Sequence, residues 1–244
     1  MHVYISFLTN PEVSIPLQYN HLVQAAIYAA LPPELANQLH DEGHAAGGRK
    51  YKLWSFSRLT GKYVMDKTGG TISFSEGVRL VISSPDMQFF LPLVNNLLTQ
   101  KSIRLGEVKM QVAEVRLEEQ KAEHDVLIVR TLSPIVVYST LLKPEGGKYT
   151  CYYQPGEGEF NRLITANLRR KYEALYKKQP VEGDVRVVPM GRPRLHVMSY
   201  KGTLLKGYSS RLRLHGPREL LQMGLDAGLG GKGGQGYGCV EKVK

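Results

Sequence analysis

The stretch that most constrains this chain is Gly224–Gly238, GLDAGLGGKGGQGYG, in which eight of fifteen residues are glycine and the only charges are Asp226 and Lys232. Backbone this free of Cβ atoms can approach another surface closely, and its consecutive N–H groups can turn toward one anion. PRELLQMGLDAGL before it reads as a short amphipathic helix, and YGCVEKVK after it as a terminal strand. Helix, loop and strand is the reverse of the order in nucleotide-binding fingerprints, and no Gly-Lys-Ser/Thr ending is present to hold a magnesium nucleotide. The loop therefore meets either a phosphate or another strand.

Charge narrows the partner. The formal net charge is +10, and residues 1–120 hold 11 Lys/Arg against 11 Asp/Glu while residues 121–244 hold 21 against 11. A basic excess confined to one half points to a polyanion, with nucleic acid first. The two cysteines, Cys151 and Cys239, cannot form a zinc site by themselves. No apolar run approaches membrane-spanning length, and MHVYISFLTN lacks the basic start and apolar stretch of a signal peptide. A reduced cytoplasm is the expected compartment, with no membrane partner.

Along the chain, His2–Leu8 alternates as a half-buried strand with Val3, Ile5 and Phe7 on one side. Asn20 is placed to cap a helix from His21 to about Leu31, with an apolar stripe of Leu22, Val23, Ala26, Ile27 and Ala30. His21, Gln24 and Tyr28 fall on its flank. Pro33 opens a second short helix, PELANQLHDEG, closed by Gly43. A loose HAAGGRK segment, the strand KYKLWSFSRL, a hairpin around Thr68-Gly69-Gly70 and the strand GVRLVISS follow. The helix DMQFFLPLVNNLLTQ and extended IRLGEVKMQVAEVRLEE complete a β-α-β-β-α-β order. The second half repeats it: a strand pair bent at Pro134, a long basic helix GEFNRLITANLRRKYEALYKK, strands VRVVPMGRPRLHVMSY and GTLLKGYSSRLRLHG, then the short helix, glycine loop and last strand. The fold class is α+β, with two tandem ferredoxin-like (RRM-like) domains, 1–120 and 121–244, joined near the polar QKAEH and enclosing a cleft. The aromatic signature of an RNA-recognition sheet is not evident.

Chemistry-bearing residues gather in one window: Tyr28, His40, His44, Lys50 and Lys52. His40 closes a helix, Tyr28 leaves its helix beside the apolar stripe, and Lys52 stands at a strand start beside Trp54 and Phe56. A proton-transferring His, a Tyr hydroxyl and a Lys suit RNA cleavage without metal or cofactor, in which the ribose 2′-hydroxyl attacks its own phosphate. Each residue alone has a plainer reading as surface, core rim or solvated strand. For holding RNA, the long helix offers Arg162, Arg169, Arg170, Lys171, Lys177 and Lys178, and the later strands Arg192, Arg194, Arg211 and Arg213. Residues 169, 170, 177 and 178 recur close to a helical period and form a basic stripe. In the loop, Gly228, Gly230, Gly231, Lys232, Gly234, Gly236 and Gly238 offer a backbone phosphate nest, or close packing between the domains.

PLQYNHLVQAAIYAAL, LANQLHDEG followed by KLWSFSRL, TLSPIVV and GLDAGLGGKGGQGYGCV resemble, over nearly the whole chain, the CRISPR-associated repeat-processing endoribonucleases. These form the guide-RNA maturation branch of the RAMP superfamily. The resemblance implies two ferredoxin-like domains in a prokaryotic cytoplasmic protein. It puts the family's catalytic Tyr on Tyr28, its His on His40 and its Lys on Lys52. It also implies metal-free cleavage once inside each repeat of the precursor transcript, leaving a 5′-hydroxyl and a 2′,3′-cyclic or 3′-phosphate. Tyr28 and His40 would be base and acid in either order, with Lys52 steadying the phosphate. The segment between His40 and Lys52 is longer than the family pattern and contains His44 and Lys50, which stand as substitutes. His40 is favoured because a helix end fixes it. The implied partners are precursor and repeat RNA, with a homodimer and a CRISPR effector complex also open. Two rivals remain: a non-catalytic RAMP subunit that holds guide RNA, which would not need Tyr28, His40 and Lys52, and a nucleotide-dependent enzyme, which the missing phosphate-loop residues disfavour.

Overall fold

The structure, a computed structural model, describes residues 1–9 and 12–243, so Lys244 of the expected last strand lies outside the described residues. In the first half, β1 (His2–Phe7) buries Val3, Ile5 and Phe7 on one face, as the period of two requires. After β2 (Val13–Pro16), α1 (Asn20–Ala29) buries Val23, Ala26 and Ile27, and Pro33 opens α2 (Pro33–Asp41) at a position where its missing N–H costs nothing. Then come β3 (His44–Ala46), β4 (Arg49–Tyr51), β5 (Ser55–Phe56), β6 (Thr60–Asp66) and β7 (Thr71–Ser83). The side chain of Asp86 accepts from the Gln88 N–H at 2.8 Å and so starts α3 (Met87–Gln100). β8 (Ser102–Leu105) and β9 (Val108–Glu118) end this half.

The second half runs β10 (Val126–Thr131), β11 (Tyr138–Leu142), β12 (Lys148–Tyr152), α4 (Gly158–Tyr176), β13 (Arg186–Pro189), β14 (Arg194–Tyr200), β15 (Thr203–Ser209) and β16 (Arg211–His215). α5 (Arg218–Ala227), a 3-10 turn at Gly233–Gln235 and β17 (Val240–Lys242) close the chain.

The result is an α+β fold with five helices among the described residues and antiparallel sheets throughout. The larger sheet has the order β2-β7-β1-β9-β8, with β5 and β6 also paired to β7; the smaller has β13-β16-β10-β17. In both, the first strand of the half lies between its last strand and the strand that leads into the second long helix. One core joins β1, β7, α1 and α3, and another joins β10, β16, α4 and α5. β11–β12 and β14–β15 stand outside both sheets as separate hairpins.

Four local expectations are corrected. The HAAGGRK segment is the β3–β4 hairpin, with His44 opposite Tyr51, because Gly47 and Gly48 make its turn. KYKLWSFSRL is not one strand: it breaks after Tyr51, and Lys52 lies between β4 and β5. The strands expected at Pro134 and around Arg192 each split, so that one part joins the sheet and the other a projecting hairpin. Asn20 does not cap α1, whose N-cap is Tyr19 without a side-chain bond.

Asn20 instead reaches the glycine loop, donating from Nδ2 to the Gln235 carbonyl at 2.9 Å. The loop lies against Leu53–Ser57, and this short segment serves both cores: Leu53 belongs to the second, Trp54 and Phe56 to the first. A Cβ on Gly233 would stand 2.6 Å from the Trp54 carbonyl, and one on Gly236, at φ +84°, 2.5 Å from the Phe56 ring. Only glycine permits that approach. Gly236→Ala is therefore expected to cost about 2 kcal/mol or more of stability. Gly146→Ala, at φ +89° with open space around it, carries the backbone cost alone. Urea midpoints of the two variants check this, and equal shifts would show that the close approach contributes nothing.

Candidate active site

α1 presents Asn20, Gln24 and Tyr28 at a spacing of four, which aligns them along one face. Asn20 holds the glycine loop. Gln24 donates to the Gly234 carbonyl and accepts from the Tyr200 hydroxyl of the β14–β15 hairpin. Tyr28, next along that line, meets Trp54 edge-on at a centroid distance of 5.7 Å. Trp54 is itself stacked between Phe56 and Phe89, at 5.8 and 5.4 Å. The Tyr28 ring is thus seated on a rigid aromatic column.

Around that ring the other expected residues converge. The His40 ring lies 5.9 Å away in an edge arrangement, and the Lys52 ammonium 5.4 Å over the ring centroid. His40 is exposed, and its Nδ1 lies 2.8 Å from the carboxylate of Asp41. With the proton on Nδ1 donated to Asp41, Nε2 is left free to exchange a proton. The Tyr28 hydroxyl is covered and has no partner among the described residues. Burial raises its pKa to about 12, against the pull of the neighbouring Trp54 N–H, which itself makes no hydrogen bond of good geometry among the described residues. Burial also pushes the Lys52 ammonium down, against the pull of Asp41.

The two substitutes are engaged elsewhere. His44 lies 3.5 Å from Asp86, the residue that caps α3, and holds that carboxyl below its ordinary range. Lys50 donates to the Asp41 carbonyl at 2.8 Å, capping the end of α2. Asp41, Gln24 and Asn20 had no motif to draw attention to them; the i, i+4, i+8 spacing on α1 was the available signal.

The glycine loop is only partly open to a ligand. Gly228, Gly230, Gly234, Gly236 and Gly238 are buried. The N–H groups of Gly231, Gly236 and Gly238 donate to Val136, Gly233 and Pro134 carbonyls. The nest expected across this whole run is corrected at those three positions. Gly231 and Lys232 stay partly exposed, with the Lys232 ammonium 5.9 Å over the Tyr138 ring.

The basic residues do not merge into one groove. Arg162 pairs with Glu159, and Arg169 donates to the Gly183 carbonyl at 2.8 Å. The expected stripe is broken because α4 ends at Tyr176, with Lys177 left-handed beyond it. Arg170 is half-buried on α4. Arg211 and Arg213 alternate with buried Leu212 and Leu214, so they leave the sheet on the side away from α4. Arg192 and Arg194 are exposed at the start of β14. Lys171 is corrected outright: it is buried, and its ammonium donates to the carbonyls of Ala227, Gly228 and Gly230 at 3.0, 2.7 and 3.1 Å. It ties the end of α5 to the glycine loop. Burial pushes its pKa down to about 7.

The chain has relatives along its full length. Residues 14–116 match CRISPR-associated protein Cas6, N-terminal, and residues 117–242 match CRISPR associated protein Cas6, C-terminal. It is 25% identical to CRISPR-associated endoribonuclease Cas6 1 of Methanocaldococcus jannaschii, over 100% of this chain and 93% of that one. It is 26% identical to a putative CRISPR-associated endoribonuclease-like protein Cas6 of Pyrococcus furiosus, over 94% and 93%. The solved structure of a Cas6-related gene product from Pyrococcus furiosus superimposes with a TM-score of 0.84 at 22% identity, covering 100% of this chain and 98% of that one.

The Lys171 geometry yields a prediction in pH. Between about pH 7 and pH 10 the unfolded chain keeps this proton while the folded chain has released it, leaving an amine that bonds two of the three carbonyls, so this residue makes stability rise with pH across that window. Lys171→Met is expected to flatten the rise. Urea midpoints at pH 7 and pH 9.5 for wild type and variant read it directly, and an unchanged rise in the variant would count against the assignment.

Proposed function

The chain belongs to the Cas6 family of CRISPR-associated proteins, and from that premise we propose that it is an endoribonuclease that cuts CRISPR repeat RNA with Tyr28, His40 and Lys52. The observation that carries the assignment of residues is the contrast within one window. Tyr28, His40 and Lys52 meet with a hydroxyl, an imidazole Nε2 and an ammonium uncommitted, while His44 and Lys50 serve the ends of helices. The activity is supported by the relatives that bear the name endoribonuclease.

In this reading the ribose 2′-oxygen forms a bond to the adjacent phosphorus as the bond from phosphorus to the 5′-oxygen breaks. The 2′-hydroxyl proton goes to His40 Nε2, with Asp41 holding the ring from the other side. Tyr28, whose raised pKa keeps its proton at neutral pH, turns its covered hydroxyl toward the bound strand and supplies a proton to the departing 5′-oxygen. The Lys52 ammonium offsets charge on the non-bridging phosphate oxygens. The products are a 2′,3′-cyclic phosphate and a 5′-hydroxyl, and no step requires a metal.

The architecture fits two ferredoxin-like units, 1–120 and 121–244. The strand orders β9-β1-β7-β5 and β17-β10-β16-β13, each with two helices on one face, support this. RNA would enter over Lys232, Arg192 and Arg194, the basic side chains left exposed beside the projecting hairpins, with Arg211 and Arg213 on the open face of the second sheet.

Cleavage of the host's repeat RNA is expected to proceed in excess EDTA. His40→Ala is expected to lower the rate by roughly 10²–10⁴-fold, while binding of a repeat RNA made uncleavable by a single 2′-deoxy substitution at the cut is retained. Tyr28→Phe is expected to lose a similar factor and to regain it on RNA carrying sulfur at the bridging 5′ position, a leaving group that needs no proton. Rescue of His40→Ala instead would exchange the two roles. Tight binding without cutting by the wild type would make the chain a guide-RNA holder.

A further inference from the structure

A cavity of about 360 Å³ opens between the halves at the opposite end of α1 from Tyr28. Its walls include Tyr19, Tyr63, Tyr237, Met65 and Met198, and its one cation among the described residues is Arg58. No acidic side chain lines it among the described residues, and Arg58 makes no salt bridge there. The guanidinium donates from one nitrogen to Nδ1 of His196 at 3.3 Å, and its other N–H groups stay available. Burial, then the charges of Arg58 and Arg194, push His196 down to about 4, so the ring is neutral and accepts from Arg58.

A tyrosine-lined cavity that mixes apolar walls with the polar edges of Gln18, Asn20 and Ser199, and holds a single uncompensated guanidinium, is poor for a bare phosphate, whose full charge needs several cations or N–H donors at once. It is well made for a planar, polar-edged ring. The site is also on the path to the chemistry. Tyr19 and Asn20 line it, and Tyr28 is eight or nine residues on, about 12 Å along the helix. A stacked strand covers that distance in about four nucleotides.

We propose that this cavity is a nucleobase pocket. It takes one unstacked base of the repeat RNA, within about four nucleotides of the cleaved bond, stacked on Tyr63 at the rim and bonded at its polar edge by Arg58. The proposal rests on the repeat-RNA reading and adds to it a position at which the sequence of the repeat is read.

The test is a binding cycle on repeat RNA made uncleavable by 2′-deoxy substitution, with single abasic sites at each of the four positions on either side of the cut. The proteins are wild type, Tyr63→Ala, Tyr63→Phe and Arg58→Gln. Tyr63 is half exposed on β6, so its truncation leaves the core intact. One abasic position is expected to weaken wild-type binding by roughly 5- to 50-fold, the value of one stacked base. Tyr63→Ala is expected to lose a like factor on the intact RNA and about nothing further at that abasic position, as coupled partners do. Tyr63→Phe is expected to bind as wild type, and Arg58→Gln to be sensitive to the same position. Costs that multiply at every position, or a wild type indifferent to all of them, overturn the pocket while repeat binding stands. A wild type that does not prefer repeat RNA over a scrambled RNA overturns the repeat-RNA reading and the pocket with it.

Discussion

The contact on which this molecule depends is the close approach of a glycine backbone to the segment Leu53–Ser57, which contains β5. That strand pairs with β7 in the first half through Ser55 and Phe56. On its other side Ser133 donates its hydroxyl to the Phe56 carbonyl at 2.9 Å, and the loop from Gly228 to Gly236 lies over it. Side chains on that loop would hold the halves apart by the depth of a Cβ. The glycines let backbone meet backbone, and the two cores share one segment. Lys171 fastens the loop from behind by taking three of its neighbouring carbonyls, at the cost of burying an amine in a place that disfavours its charge.

The site is a consequence of that seam. Gly234 lies against the Trp54 ring and the Lys52 side chain, so the loop from the far end of the chain supports the platform on which Tyr28 rests. Asn20 and Gln24 tie α1 to the same loop, and this fixes the rotation of the helix and the direction in which Tyr28 leaves it. His40 is placed differently, by the last turn of α2, with Lys50 closing that turn and Asp41 holding the ring. Three side chains from three elements converge because one loop from the second half locks two of those elements together. Preorganisation here is a matter of packing between halves, which is why the loop matters to a site to which it contributes no side chain.

The same seam divides the molecule's charge. Basic residues that a linear reading gathers into one groove are parted by the second sheet, with α4 on one side and Arg211 and Arg213 on the other. Several are already spent: Arg162 on Glu159, Arg169 on a carbonyl, Lys171 on the seam itself. The cations left for an anionic partner include Arg211 and Arg213 on the open face of the second sheet, those near the projecting hairpins, and Arg58 inside the cavity beside them.

Periodicity and breakers made much of this legible in advance. The alternation read over His2–Leu8, the helix opened by Pro33 and the long pattern of α4 are local, and local patterns survive folding because the chain satisfies them within a few residues. The density of glycine from Gly224 to Gly238 demanded a close approach, and the residue types at positions 28, 40 and 52 suggested the chemistry proposed for them. The tertiary structure decided what each local feature faces. Asn20 read as a cap because its own turn offered N–H groups, yet a carbonyl 215 residues away holds it. Lys171 read as part of a basic helix, because helical spacing records a face and not what covers it. A helix end favoured His40 over His44 in the sequence, but only the structure shows Asp86 committing His44 and Asp41 holding His40 by one nitrogen alone. Sequence determined the elements and the reactive groups, since those rest on neighbours in the chain. Commitment and freedom of each group rest on contacts between distant residues, and those exist only once the two halves have met.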